Sequence, residues 1–231
     1  MSSASRNIVP AVETGGDKSL GKVAYEHLRQ AIENGSLKPG DRVSVNGLAE
    51  MMNLSRTPVR EAISWLETDG LVAHEPARGR VIASLDHQMV NELSEIRIVL
   101  EVKSVELAAR NASVAEIELL REMLAIEESL LDDPARRDRH NRRFHAAIYR
   151  CAHNRYLIST LNALHAPMLL LGPAAATDPE RQRQAYAEHV ALVDAISRRD
   201  AEKAAEVITH HLVSGQRLRI KNILRQLDNE I

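Results

Sequence analysis

Histidine carries the first chemical signal. The chain holds 231 residues and ten histidines, and seven of these fall between His140 and His211. Neutral imidazole is a common ligand of divalent metals and titrates close to neutral pH. Asn141 and His145 are four apart on one predicted helix and therefore share a face. His189 stands mid-helix in Ala187-Glu188-His189-Val190, and His211 stands in the last long helix, in Ile208-Thr209-His210-His211-Leu212. One imidazole turned inward from each of three helices makes a divalent metal site with positions left open for water or ligand. The same spacing also suits three hydrogen-bonded histidines in a partly polar core, and spacing alone does not choose. Glu188 projects about 100° away from His189 around the helix, which makes it a poor general base there. Neither His-Glu-x-x-His nor the Glu-x-x-His pair of di-iron bundles occurs in the chain.

A second group is cationic. Arg56, Thr57 and Arg60 lie on the face of a predicted helix opposite its apolar stripe of Val59, Ala62, Ile63 and Leu66. Arginines four apart project together, and one guanidinium can bond bidentately to guanine O6 and N7. Arg78 and Arg80 flank Gly79 between two short apolar runs, where they suit a phosphate or a minor groove. Residues 1–85 hold ten basic and ten acidic side chains, and the whole chain carries a net charge of −2. Bulk cationic attraction to a polyanion is thereby excluded, and any DNA contact must come from locally placed arginines.

The elements that must position these groups follow from periodicity. Residues 1–17 read as a flexible tail. Leu20, Val23, Ala24, Leu28, Ala31 and Ile32 share the face of a helix ended by Asn34-Gly35. A short helix with Leu48, Ala49 and Met52 inward follows, then a tight turn and the Arg56–Arg60 helix with Pro58 in its first turn. Leu71–Ala73 and Val81–Ala83 read as a small hairpin. Three helices and a hairpin form a winged helix-turn-helix, whose third helix enters the major groove. From residue 86 the texture changes to successive amphipathic helices, about 87–110, 114–131, 136–152, 155–171, 179–198 and 201–226. The expected fold is mostly α: a winged helix-turn-helix over 18–85 and an all-α bundle over 86–231. Trp65, outside the apolar stripe, packs on a neighbouring helix or docks the second domain. Arg136, Arg137, Arg139, Arg142 and Arg143 read as a solvated face. His140, His153, His165 and His210 read as structural or exposed. The single Cys151 forbids an internal disulfide. The apolar stretch around Met168–Leu171 is far short of the roughly 20 residues that a membrane helix needs, and the expected location is the cytoplasm.

Two resemblances extend this reading. The run Leu54-Ser55-Arg56-Thr57-Pro58-Val59-Arg60-Glu61-Ala62-Ile63, with Leu66-Glu67, Gly70-Leu71-Val72 and Arg78-Gly79-Arg80-Val81, resembles the signature of GntR-family transcription regulators. That resemblance implies operator binding by Arg56 and Arg60, with the wing tip at Gly79 reaching the minor groove. The family's second helix usually carries an arginine where this chain has Asn46, so that contact loses its charge. The segments Asn141-Arg142-Arg143-Phe144-His145, Asn154-Arg155-Tyr156-Leu157, Glu188-His189 and His211-Leu212 resemble the FCD ligand-binding domain of the FadR-like branch. This second resemblance implies a divalent metal, zinc or nickel, held by His145, His189 and His211 at the floor of a pocket for a small carboxylate. Asn141 replaces the family's Asp and removes one negative charge. Arg97 aligns with a frequent arginine of the pattern and would hold the carboxylate, unless it serves only a salt bridge with Glu101 at i+4. Phe144 is expected in the core beside His145.

The expected protein is an effector-responsive regulator, a repressor, that reads a pseudo-palindromic double-stranded operator as a homodimer without a membrane. Two rivals are a metal-sensing repressor, in which the ion itself is the signal, and a metal-dependent hydrolase.

Overall fold

A computed structural model describes residues 19–130, 133–171 and 178–228, so the tail expected over 1–17 lies outside the described residues. Those residues form nine helices and one hairpin, in the order α1 (Leu20–Glu33), α2 (Val45–Met52), α3 (Arg56–Thr68), β1 (Val72–Glu75), β2 (Gly79–Ile82), α4 (His87–Asn111), α5 (Val114–Ser129), α6 (Pro134–Cys151), α7 (Arg155–Leu169), α8 (Pro179–Ser197) and α9 (Ala201–Asp228). The mostly helical class with a winged helix-turn-helix is what the structure shows. No helix among the described residues is long and apolar enough to cross a membrane.

Two compact units are present. One gathers residues 19–85 with residues 165–171, and the other the remaining helices. The core of the first is built from the stripes that periodicity marks: Ala24, Leu28 and Ile32 of α1, Leu48 and Met52 of α2, and Val59, Ile63 and Leu66 of α3, closed by Leu71 and Ile82. Leu169 and Leu170 join this core, a membership that no periodicity signals. Local chemistry sets the helix ends. The Ser44 hydroxyl accepts from the Gly47 N–H at the start of α2, and Asn53 ends it in the left-handed region at φ 54°, a conformation that Asn tolerates better than most residues.

The hairpin pairs Val72 with Ile82 and Glu75 with Gly79. The Arg78 N–H donates to the Glu75 carbonyl at 3.2 Å, and Gly79 follows at φ 77°. That is a turn plus a left-handed residue, the geometry of a three-residue hairpin loop. Gly79 supplies the positive φ that this loop needs, and a Cβ placed there meets nothing of the chain within 4 Å.

In the second unit α4 packs on α9 and α6, α9 on α8, and α5 on α6 and α8. Phe144, Ile148, Leu120, Leu192, Ile196 and Ile208 make its buried centre. A capping box starts α5, with Ser113 and Glu116 each bonding the other's backbone N–H. Asp133 and Asp178 cap α6 and α8 ahead of Pro134 and Pro179.

Candidate functional site

The first unit presents the expected cationic face. Arg56, Thr57 and Arg60 are all exposed on α3, while Pro58, Val59, Ala62 and Ile63 of the same turns are buried. Asn46 is exposed on α2. Ser55 precedes α3 without a side-chain cap, so the first-turn N–H groups stay open to an anion.

In the wing both arginines are engaged with groups of their own domain. The Arg80 Nε donates to Glu67 Oε1 of α3 at 2.6 Å. The Arg78 guanidinium donates to the Gly40 carbonyl at 2.8 Å and to Glu75 at 3.4 Å, and Arg42 donates back to the Arg78 carbonyl. Both wing cations are thus held inside the domain, and Arg80 ties the wing to the recognition helix. Trp65 follows the simpler of its two readings. It meets Tyr25 of α1 edge to face at 6.1 Å between ring centres.

The second unit brings His145, His189 and His211 together, with one ligand atom of each lying within 4.8 Å of the others. All three rings are turned by a carboxylate. His145 Nδ1 donates to Glu101 at 2.9 Å, His189 Nδ1 to Glu127 at 2.9 Å, and His211 Nδ1 to Glu188 at 2.7 Å. An imidazole that donates from Nδ1 keeps the Nε2 lone pair available. The Nε2 atoms of His145 and His189 are buried and have no hydrogen-bond partner. Burial pushes the His145 ring below its ordinary pKa and the His211 ring down to about 3, so both are neutral near pH 7. Burial alone would raise Glu101, but the Arg97 charge and the His145 bond hold it well below the usual carboxylate range. Bonds from His211 and Arg181 outweigh burial at Glu188 and hold it at about 2.

Carboxylate-tethered imidazoles are the donor set of a histidine-rich metal centre, and the tethers are the outer-shell groups that fix ring orientation and raise ligand basicity. Zinc or nickel fits this chemistry. Phe144 backs the rings, with its centre 4.6 Å from that of His189. Asn141 lines the adjoining cavity, as do Arg97, Arg137, Arg181 and Arg219. The Arg97 Nε bonds Glu101 at 2.5 Å, the salt bridge of one of its readings, and the residue also lines the cavity. Arg137, expected on a solvated face, is instead buried to 6% exposure and forms part of the cavity wall; Arg136, Arg139 and Arg143 are exposed as expected. His140 is structural, bonding the Met123 carbonyl at 2.8 Å.

Residues 20–82 match the family of bacterial regulatory proteins known as gntR, and residues 92–214 match the FCD domain. The chain belongs to the gntR family, in its FCD-domain branch. It is 30% identical over 190 residues to the HTH-type transcriptional regulator YdhC of Bacillus subtilis, covering 81% of this chain and 85% of that one. It is also 30% identical over 222 residues to the transcriptional repressor NanR of Citrobacter rodentium, covering 85% of this chain and 84% of that one. The fold of E. coli McbR/YncC superposes with a TM-score of 0.77 at 24% identity, over 90% of this chain and 100% of that chain. The protein is a transcriptional regulator of the gntR/FCD type and not an enzyme, which removes the hydrolase rival.

Glu127, Arg181 and Arg219 were missed by sequence reasoning, Glu101 was considered only as the partner of Arg97, and Glu188 only as a base. Glu188 does turn away from His189, but it turns onto α9. A signal exists in retrospect for the arginines, because Arg137 and Arg181 stand eight residues before His145 and His189, and Arg219 eight after His211. Eight residues return a side chain to nearly the same helix face. The glutamates leave no such mark, since Glu101 and Glu127 sit on helices that carry none of the three histidines.

Proposed function

We propose that this regulator is a cytoplasmic homodimeric repressor that holds a divalent metal in its FCD domain and responds to a small carboxylate beside it. The observation that carries this reading is the convergence of three imidazoles whose Nδ1 atoms are each bound to a separate glutamate. His145, His189 and His211 would ligate zinc or nickel, with Asn141 as a neutral fourth donor. The bound ion would supply a Lewis-acidic anchor for one effector oxygen. Arg97, already on Glu101 and lining the cavity, supplies a further anion contact. Arg56, Thr57 and Arg60 would read base edges of a pseudo-palindromic operator, with Asn46 and the wing around Arg78, Gly79 and Arg80 positioning the head.

For the effector to regulate, it must bind the operator-competent and operator-incompetent states with different affinities. The decisive experiment titrates operator binding in a gel-shift assay with zinc alone, and then with zinc plus small carboxylates. The reading expects the acid to shift operator affinity only when zinc is present. If zinc alone switches binding and acids add nothing, the protein is a metal sensor and the effector reading fails.

A further inference from the structure

Three helices build the cavity in one repeated pattern. On α6 Arg137, Asn141 and His145 stand four apart; on α8 Arg181, Ala185 and His189; on α9 His211, Gly215 and Arg219. Residues four apart lie along one stripe of a helix, so each helix carries an imidazole and an arginine at the two ends of a stripe, with a small or neutral residue between them. All three arginines and all three middle residues line the cavity. Eight residues of helix rise about 12 Å, which separates the backbone level of the histidines from that of the arginines. At Gly215 an added Cβ would meet nothing within 4 Å, as expected of a residue facing open space.

The charges at the two ends are not alike. Arg97 is matched by Glu101 and Arg181 by Glu188, while Asp138 is taken by Arg142. Arg219 has no carboxylate bonded to it: its Nε is buried without a hydrogen-bond partner, and Asp138 and Glu101 act on it only through space. Burial, together with the facing Arg97 charge, lowers its pKa to about 9, and it remains a cation at neutral pH. A buried guanidinium N–H left without an acceptor is costly unless an anion arrives to meet it. At the histidine end the candidate ligand atoms, imidazole nitrogens and an amide oxygen, carry no formal negative charge, and the carboxylates of Glu101, Glu127 and Glu188 are engaged behind the rings on Nδ1. Neither the Nε2 atoms of His145 and His189 nor the Arg219 Nε therefore has an anion bonded directly to it.

We infer that the effector is a small acid with two anionic groups, one directed to the histidine end and the other to Arg219, which makes Arg219 a specificity-determining residue. This inference rests on the carboxylate-effector reading above and narrows it. Size follows from the cavity, which measures about 80 Å³. At about 10–15 Å³ for each water-sized position, it accepts roughly five to eight non-hydrogen atoms. That is the size of a three- or four-carbon dicarboxylate.

The test compares succinate with butyrate, two four-carbon acids that differ in the second carboxylate, by calorimetric titration of zinc-loaded protein. The parent should bind succinate at least tenfold more tightly than butyrate. Arg219→Gln should weaken succinate to the level of butyrate and leave butyrate unchanged, while Arg219→Lys, which keeps the charge, should retain part of the preference. Zinc content and melting temperature of each variant report whether it folds, and the parent comparison stands without any variant. Equal binding of the two acids by the parent, or a preference that survives Arg219→Gln, overturns the role of the second anion while leaving the carboxylate reading intact. If neither acid binds, the carboxylate reading falls and takes this inference with it.

Discussion

His189 Nδ1 lies 2.9 Å from both carboxylate oxygens of Glu127, a residue 62 positions earlier on another helix. Both side chains are almost wholly buried, at 1% and 3% exposure. A carboxylate so placed fixes the tautomer, so that the ring has only Nε2 left to offer a metal. Glu127→Gln keeps the size of the side chain and removes its charge. The loss of such an outer-shell partner typically weakens metal binding about 10–100-fold, and chelator competition should show a zinc affinity reduced by that order. Unchanged affinity would mean that Glu127 only pairs a core histidine.

Arg60 is exposed on α3, beside the buried Val59. Arg60→Ala should remove discrimination of about 1–3 kcal/mol at one base pair and leave the circular dichroism spectrum unaltered. A gel-shift comparison of operator and scrambled DNA checks this. Retained affinity together with retained sequence preference would sink the recognition-helix assignment.

Glu67 holds Arg80 at 2.6 Å, and both are partly exposed, at 32% and 43% of their side-chain area. Exposed pairs of this kind contribute little to stability, on the order of 0–1 kcal/mol. Glu67→Ala should therefore leave the fold intact and free Arg80 for a phosphate. One more phosphate contact steepens the log-log dependence of binding on salt by about 0.9. A slope that does not change would show that Arg80 never reaches DNA.

Leu120 is fully buried, packed among the α5, α6 and α8 side chains of the bundle core. Leu120→Ala removes three methylene-sized groups from a close-packed interior, which costs about 2–5 kcal/mol. Urea denaturation should show a midpoint reduced accordingly. A change under 1 kcal/mol would mean that the bundle core closes over the cavity.

Much of the architecture was legible because helical periodicity is a local signal. The stripes of α1, α2 and α3 name the core of the first unit almost residue by residue, and Pro58 and Asn34-Gly35 mark helix ends. The wing turn was legible too, but the state of its arginines was not. Whether Arg80 is free depends on Glu67, thirteen residues away in sequence, and that distance closes only when the hairpin folds against α3. Arg137 shows the same limit from the other side: within a run of five arginines nothing in composition distinguishes the one that turns inward.

The sequence by itself determined the helical registers, the winged helix-turn-helix, and the three histidines with Asn141, because residue type and spacing carry each of these. Tertiary packing alone decided which glutamate holds which imidazole and which arginine is left without a partner at the far end of the cavity. Those pairings join α4 to α6, α5 to α8 and α8 to α9. The physical reason is that a hydrogen bond between helices is set by how their faces meet in space, and the one-dimensional pattern of each helix records only which face is apolar.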